Sequence, residues 1–180
     1  MSFHIQAARP QDTGAILRLI AGLAEYEKLS HLVVAKEDDV RRELFGANPV
    51  VECVLGWEDA RAVGFALFFH NFSTFLGRRG LYLEDLFVIP GARGHGYGKA
   101  LIQHVARLAL ARGCGRFEWA VLDWNQPAID FYQALGADVL PDWRICRLTG
   151  DALVRFGDDG PARSSGDAPA RPGSDADKAA

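Results

Sequence analysis

The chain has 180 residues, 49% of them hydrophobic, with a net charge of −3. That combination is one α/β-sized soluble domain with a core of its own. The negative balance argues against a general nucleic-acid binder, and no apolar run is long enough to cross a bilayer, so neither nucleic acid nor membrane is an expected partner.

The N-terminus, Met1-Ser2-Phe3-His4-Ile5, lacks the basic region and apolar core of a secretory signal. Residues 3–7 predict a short first strand. A helix starts at Pro10 to Asp12 and places Ile16, Leu17, Leu19, Ile20, Leu23 and Ala24 along one broad face, ending near Tyr26-Glu27-Lys28. A second helix spans residues 36–45, with Gly46 as its stop. Residues 50–55 and 62–69 read as a hairpin around the turn Trp57-Glu58-Asp59-Ala60. Residues 71–80, with Ser73, Thr74 and Phe75, read as an irregular loop.

The next stretch organises the chain. Residues 81–89 are an apolar and aromatic central strand with two acids, Glu84 and Asp85, in its middle, and Pro90 ends it. Four glycines fall between residues 91 and 98. Leu101, Ile102, Val105, Leu108 and Ala109 then mark an amphipathic helix, closed by Gly113. Strand, glycine loop and helix N-terminus together form a place where free N–H groups and the helix dipole meet an anion, usually phosphate. A P-loop is excluded, because the position after Lys99 is Ala100 and lacks the metal-binding hydroxyl. A dinucleotide fingerprint fails as well, because Lys99 stands where its third glycine belongs.

Residues 117–122 predict a strand parallel to the central one through the helical crossover. Asn125 caps a further helix with Pro127 in its first turn and Gly136 as its stop. Val139-Leu140 and residues 143–148 are expected to supply the last strands. Residues 157–180 hold no Val, Ile, Leu, Met or aromatic residue and five Asp against two Arg and one Lys. They are read as a disordered tail behind a domain of residues 1–156. Cys53, Cys114 and Cys146 are odd in number and widely spaced, which suits a reducing cytoplasm. No Cys/His pairing has metal-site spacing, so no metal is expected.

The loop Arg93-x-x-Gly96-x-Gly98 resembles the acetyl-CoA diphosphate loop of the GNAT superfamily of N-acetyltransferases. Asn125-x-x-Ala128-x-x-x-Tyr132-x-x-x-Gly136 resembles the element of that family that holds the pantetheine arm. Leu81-Tyr82-Leu83-Glu84-Asp85 and Trp124-Asn125 are similar to the diamine (spermidine/spermine) acetyltransferase family. Residues 120–126 and 132–137 are similar to its thialysine Nε-acetyltransferase branch. The resemblance covers residues 3–155.

It implies a GNAT-like mixed β-sheet flanked by helices on both faces, acetyl-CoA as acetyl donor, a small-molecule amine as acceptor, and a homodimer. Carried over position by position, acetyl-CoA contacts fall on Leu86, Phe87, Val88, Arg93, Gly94, His95, Gly96, Tyr97, Gly98, Lys99, Asn125, Gln126, Pro127 and Ala128. Amine contacts fall on Tyr26, Glu27, Ser73, Glu84, Glu118, Trp119, Ala120 and Asp142. Ser73 stands where the polyamine enzymes carry an acid, which favours a compact amine over a long polycation.

The chemistry also follows from the residue types. An alkylamine with a pKa of about 10.4 is almost wholly protonated at neutral pH, so attack on a thioester needs a carboxylate, direct or through water, to take the proton. Glu84 is the candidate. Tyr132, with a reference pKa of about 10, is matched to protonate the departing thiolate. Two other readings stay open: acetylation of protein lysine or N-terminal amines, and an acyl-CoA-binding module without turnover.

Overall fold

A computed structural model describes residues 2–158. Two units emerge, Met1–Ala128 and Ile129–Ala180. The first is built on a sheet of five strands lying in chain order. β1 (Phe3–Ala7), β2 (Glu52–Glu58), β3 (Arg61–Ser73) and β4 (Arg78–Val88) are antiparallel neighbours, and β5 (Phe117–Trp119) runs parallel to β4. The parallel step follows from the helical crossover α3 (Tyr97–Ala111), which returns the chain from the end of β4 to its start.

Strand alternation sorts the core into two layers. Leu55, Phe65, Leu67 and Phe87 share one face with Ile16 and Leu19 of α1 (Thr13–Tyr26) and Leu44 of α2 (Glu37–Phe45). Gly56 and Gly64 turn to the other face, where a Cβ at either would come within 3.6 Å of Leu101 in α3. Helices therefore cover both faces of a mixed sheet. Ile16, Leu55, Phe65 and Leu101 are fully buried, each contributing about 1.5–3 kcal/mol by leaving water.

Four expectations change. Residues 71–80 are not an irregular loop: β3 runs on to Ser73, β4 starts at Arg78, and the turn between them closes at Gly77, φ 59°. The polar side chains of this hairpin hid a pairing that is made across strands. β5 pairs only through Trp119, so residues 120–122 leave the ladder.

In the second unit, residues 139–140 and 143–148 form no strand. Their apolar spacing suits a pleated surface, but a strand also needs a ladder partner, and Val139, Leu140, Trp143, Ile145 and Leu148 are exposed. A helix not expected from the sequence, α5 (Gly150–Asp158), ends the described chain, so Gly157 and Asp158 form its last turn instead of opening the tail. The rest of the expected tail, residues 159–180, lies outside the described residues. The remaining helix, α4 (Gln126–Ala134), begins after Asn125 and continues into the second unit. Among the described residues no helix is long and apolar enough to cross a membrane.

Candidate active site

The site in the first unit begins with an irregularity in β4. Phe68 pairs with Leu83 but Leu67 pairs with Asp85, leaving Glu84 as an extra residue on β4. The bulge changes which face the following side chains take. Leu83 shares a face with Phe68, whereas Asp85 shares that of Leu67 and therefore turns toward α1. Glu84 itself stays exposed.

Three carboxylates interact here: Glu84 on the bulge, Asp85 beside it and Glu27 at the end of α1. Burial, then the negative charges of Glu84 and Glu27, push the Asp85 carboxyl up to about 6. Burial also raises the Glu27 carboxyl above its ordinary range. Asp85 was visible in the sequence as one of two mid-strand acids, but only a bulge directs it to this face, and a bulge leaves no local signature.

Beyond the bulge the sheet forks. Pairing of β4 with β5 ends at Leu83 opposite Trp119, while β4 stays paired with β3 through Val88. Ile89 N–H donates to the Val63 carbonyl. Antiparallel alternation from that pair turns the N–H and C=O of Leu86 and Val88 away from β3, toward the side that β5 has left. Phe87 serves differently: its side chain belongs to the core under α1.

The glycine loop follows at once. Gly94 and Gly96 have φ of 82° and 79°, in the left-handed region that favours glycine. Gly96 caps α3 without any side-chain hydrogen bond. The N–H groups of Tyr97, Gly98 and Lys99, in the first turn, have no acceptor within the helix, and the dipole adds partial positive charge there. A Cβ at Gly94 or Gly96 would meet nothing within 4 Å, so the loop backbone is open to an approaching anion. The side chains of Tyr97 and Arg93 are engaged elsewhere. Tyr97 stacks on Phe3 with ring centres 3.9 Å apart, and its hydroxyl donates to Glu58 at 2.8 Å. His95 stacks on Tyr97 in turn.

Arg93 folds back along β4. Its Nε donates to the Val88 carbonyl at 3.0 Å and its guanidinium lies 4.4 Å over the Tyr26 ring. Tyr26 donates its hydroxyl to Asn125 Oδ1 at 3.2 Å, and Trp124 lies 6.3 Å from the ring. Asn125 is buried, and its carbonyl accepts from Ala128 N–H at 3.0 Å at the head of α4; Gln126 and Pro127 are exposed. Tyr26, expected among the amine contacts, thus touches both Arg93 and Asn125, which are expected among the acetyl-CoA contacts.

Ser73 and Glu118, also expected among the amine contacts, are engaged within the first unit. Ser73 is buried, and its hydroxyl accepts from Leu76 N–H at 3.2 Å, tying the β3–β4 turn. Glu118 pairs with Arg116 at 3.1 Å and accepts from Asn71. Trp119 sits beside Phe117 in β5, and Ala120 is exposed just past the ladder. Tyr132 and Asp142 belong to the second unit: Tyr132 is half-buried next to Phe131 on α4, and Asp142 is exposed in a turn.

The first unit therefore offers three things side by side: an anion-ready helix start, a strand edge whose Leu86 N–H and C=O and Val88 N–H face away from β3, and a patch of carboxylates. The family model described as Acetyltransferase (GNAT) family matches residues 20–137. Thialysine N-epsilon-acetyltransferase of Mus musculus is 40% identical over 163 residues, covering 84% of this chain and 95% of that protein. An L-ornithine N5-acetyltransferase of Arabidopsis thaliana is 34% identical over 198 residues, covering 85% of this chain and 87% of that one. Among solved structures, an integron cassette protein from V. cholerae aligns with a TM-score of 0.75 at 26% identity, covering 88% of this chain and 99% of its own.

Proposed function

The chain belongs to the acetyltransferase (GNAT) family and is an N-acetyltransferase, and from that premise we propose that it moves the acetyl group of acetyl-CoA onto a primary amine of a compact small molecule such as thialysine or a short diamine. The observation that carries this reading is the Arg93–Tyr26 contact, 4.4 Å from guanidinium to ring. It joins the anion-ready loop to the end of α1, which bears Glu27. Acetyl-CoA fits the features beside it. Its diphosphate matches the open N–H groups of residues 97–99, and its pantetheine amides match the Leu86 N–H and C=O and the Val88 N–H that face the fork, the Val88 carbonyl being taken by Arg93.

The acceptor arrives as an ammonium ion. Glu27 and Asp85 supply negative charge for it, and Glu84 takes its proton through a water molecule. The freed nitrogen attacks the thioester carbonyl, the C–N bond forms, the C–S bond breaks, and the nitrogen releases its second proton to water to leave the neutral amide. Tyr132 protonates the departing thiolate; this role rests on the helix motif Tyr132 shares with the family. Both substrates are held together in one ternary complex with no acyl-enzyme. In keeping with that, Cys53 lies in the core, where burial keeps its thiol protonated.

A compact acceptor is favoured because Ser73, a buried neutral hydroxyl that accepts from Leu76 N–H, supplies no negative charge to a distant ammonium. The names of the mouse and Arabidopsis relatives point the same way, to amino acids carrying one extra amine. Cytoplasmic residence is supported by Cys53, Cys114 and Cys146 all being free thiols.

The deciding experiment follows thiol release from acetyl-CoA with lysine, thialysine, ornithine, diamines, polyamines and N-terminal peptides, for the wild type and Tyr132→Phe. Thialysine or a short diamine should give the highest kcat/KM, and Tyr132→Phe should lower kcat with little change in acetyl-CoA binding. Spermine or a peptide as the best acceptor would overturn the acceptor class. A kcat within about twofold of wild type, only ~0.4 kcal/mol, would remove the proton-donor role from Tyr132.

A further inference from the structure

We propose that Arg93 is a positioning residue for the acceptor amine, coupling the acetyl-CoA loop to Tyr26, and is not itself a ligand of the diphosphate. The inference rests on the acceptor reading above and deepens it. A loop arginine at a diphosphate site is normally expected to pair with phosphate. Here the side chain leads elsewhere. Nε is committed to the Val88 carbonyl at 3.0 Å, and the guanidinium plane covers Tyr26 at 4.4 Å and lies 5.6 Å from the Phe87 ring. Phe87 belongs to the core under α1, so the guanidinium sits toward the α1 face. The diphosphate-ready N–H groups are at the start of α3.

Tyr26 is held at two further points. Its hydroxyl donates to Asn125, which is buried, and Trp124 flanks its ring. One aromatic side chain thereby ties together the end of α1, the glycine loop and the segment ahead of α4. Glu27 follows it directly in the chain. Whatever orders the loop also fixes Arg93, and Arg93 fixes the wall against which the amine packs. Donor binding should therefore tighten amine binding, and by reciprocity amine binding should tighten donor binding. A flat guanidinium can hold a carbonyl at its edge and a ring at its face together, while a lysine ammonium cannot do both.

The test is calorimetric, so that it does not depend on turnover. Thialysine is titrated into the protein alone and into the protein saturated with CoA, for wild type, Arg93→Met and Arg93→Lys. Wild type should bind thialysine at least about fivefold more tightly with CoA present, and both variants should lose that gain to within about twofold. The Kd for CoA alone should stay within about twofold of wild type in both variants, because no phosphate contact has been removed. Weakening of CoA by about fivefold or more in Arg93→Met would overturn the proposal. So would full recovery of the gain in Arg93→Lys, which would assign the effect to charge alone, or absence of the gain in wild type. Failure of the acceptor reading looks different: wild type would release no thiol with any amine of the panel. The CoA Kd of Arg93→Met would still decide whether its guanidinium binds diphosphate.

Discussion

Burial beside Glu84 and Glu27 pushes the Asp85 carboxyl up to about 6 from an ordinary 3.8, so the fold prefers this side chain protonated. A raised carboxyl favours the folded state fully below its unfolded value. That preference is lost as pH climbs through about 6, and above it the charged Asp85 costs the fold at most about 3 kcal/mol. Asp85→Asn should therefore unfold at higher urea than wild type at pH 7.5, and the difference should shrink toward zero at pH 4. An equal gain at both pH values would assign the effect to packing. A loss at pH 7.5 would mean that the carboxylate has a cationic partner inside the protein. Retaining a residue that destabilises the apoprotein at neutral pH is consistent with a site whose missing counter-charge arrives with the substrate.

At the scale of the element, the glycine loop makes unequal demands on its glycines. Gly96 has φ 79° and caps α3, so an alanine there adds strain of roughly 1–2 kcal/mol at the turn that aims the N–H groups. Gly98 lies inside the first turn, where a Cβ would meet only the Val88 side chain at 3.9 Å, an ordinary contact. Gly96→Ala should raise the KM for acetyl-CoA by about fivefold or more, far beyond its effect on the amine KM, because each ~1.4 kcal/mol is tenfold in binding. Gly98→Ala should do markedly less. Steady-state kinetics with each substrate varied would check this, and the opposite ranking would mean that space, not loop geometry, limits donor binding.

At the scale of the whole molecule, exposed apolar side chains bear on assembly. Phe72, Phe75 and Leu76 project from the β3–β4 hairpin, with Phe75 95% exposed, and Trp143 in the second unit is 75% exposed. Clusters of this kind commonly mark surfaces that meet a partner. We expect a homodimer: static light scattering at micromolar concentration should give twice the chain mass. A chain ending after Asp158 should also give twice its own, shorter chain mass and the same turnover. A monomeric mass would remove the dimer, and loss of the dimer or of turnover on truncation would give residues 159–180 a role.

What the sequence determined by itself is what short-range chemistry controls. The apolar period of 3.6 in α1 and α3, the proline that ends the central strand, the glycines of the phosphate-type loop and the Asn125 cap all act on neighbours a few positions away. Local rules of that kind suffice to place the loop, its helix and Glu84 along the chain. The tertiary structure decided the rest, because each remaining feature depends on register between distant segments. The bulge at Glu84 arises only against β3, and it turns Asp85 toward Glu27. The fork exists because β5 leaves the ladder after Trp119, which no property of residues 120–122 announced. Residues 143–148 carry a strand-like pattern yet form no strand, since a pattern supplies a face and pairing must supply the hydrogen bonds. The direction of the Arg93 side chain was likewise not encoded in its motif. The spacing of Arg93 to Gly96 and Gly98 fixes a backbone loop, while the Tyr26 ring and the Val88 carbonyl, brought up by the packing of α1 on β4, fix where the guanidinium rests.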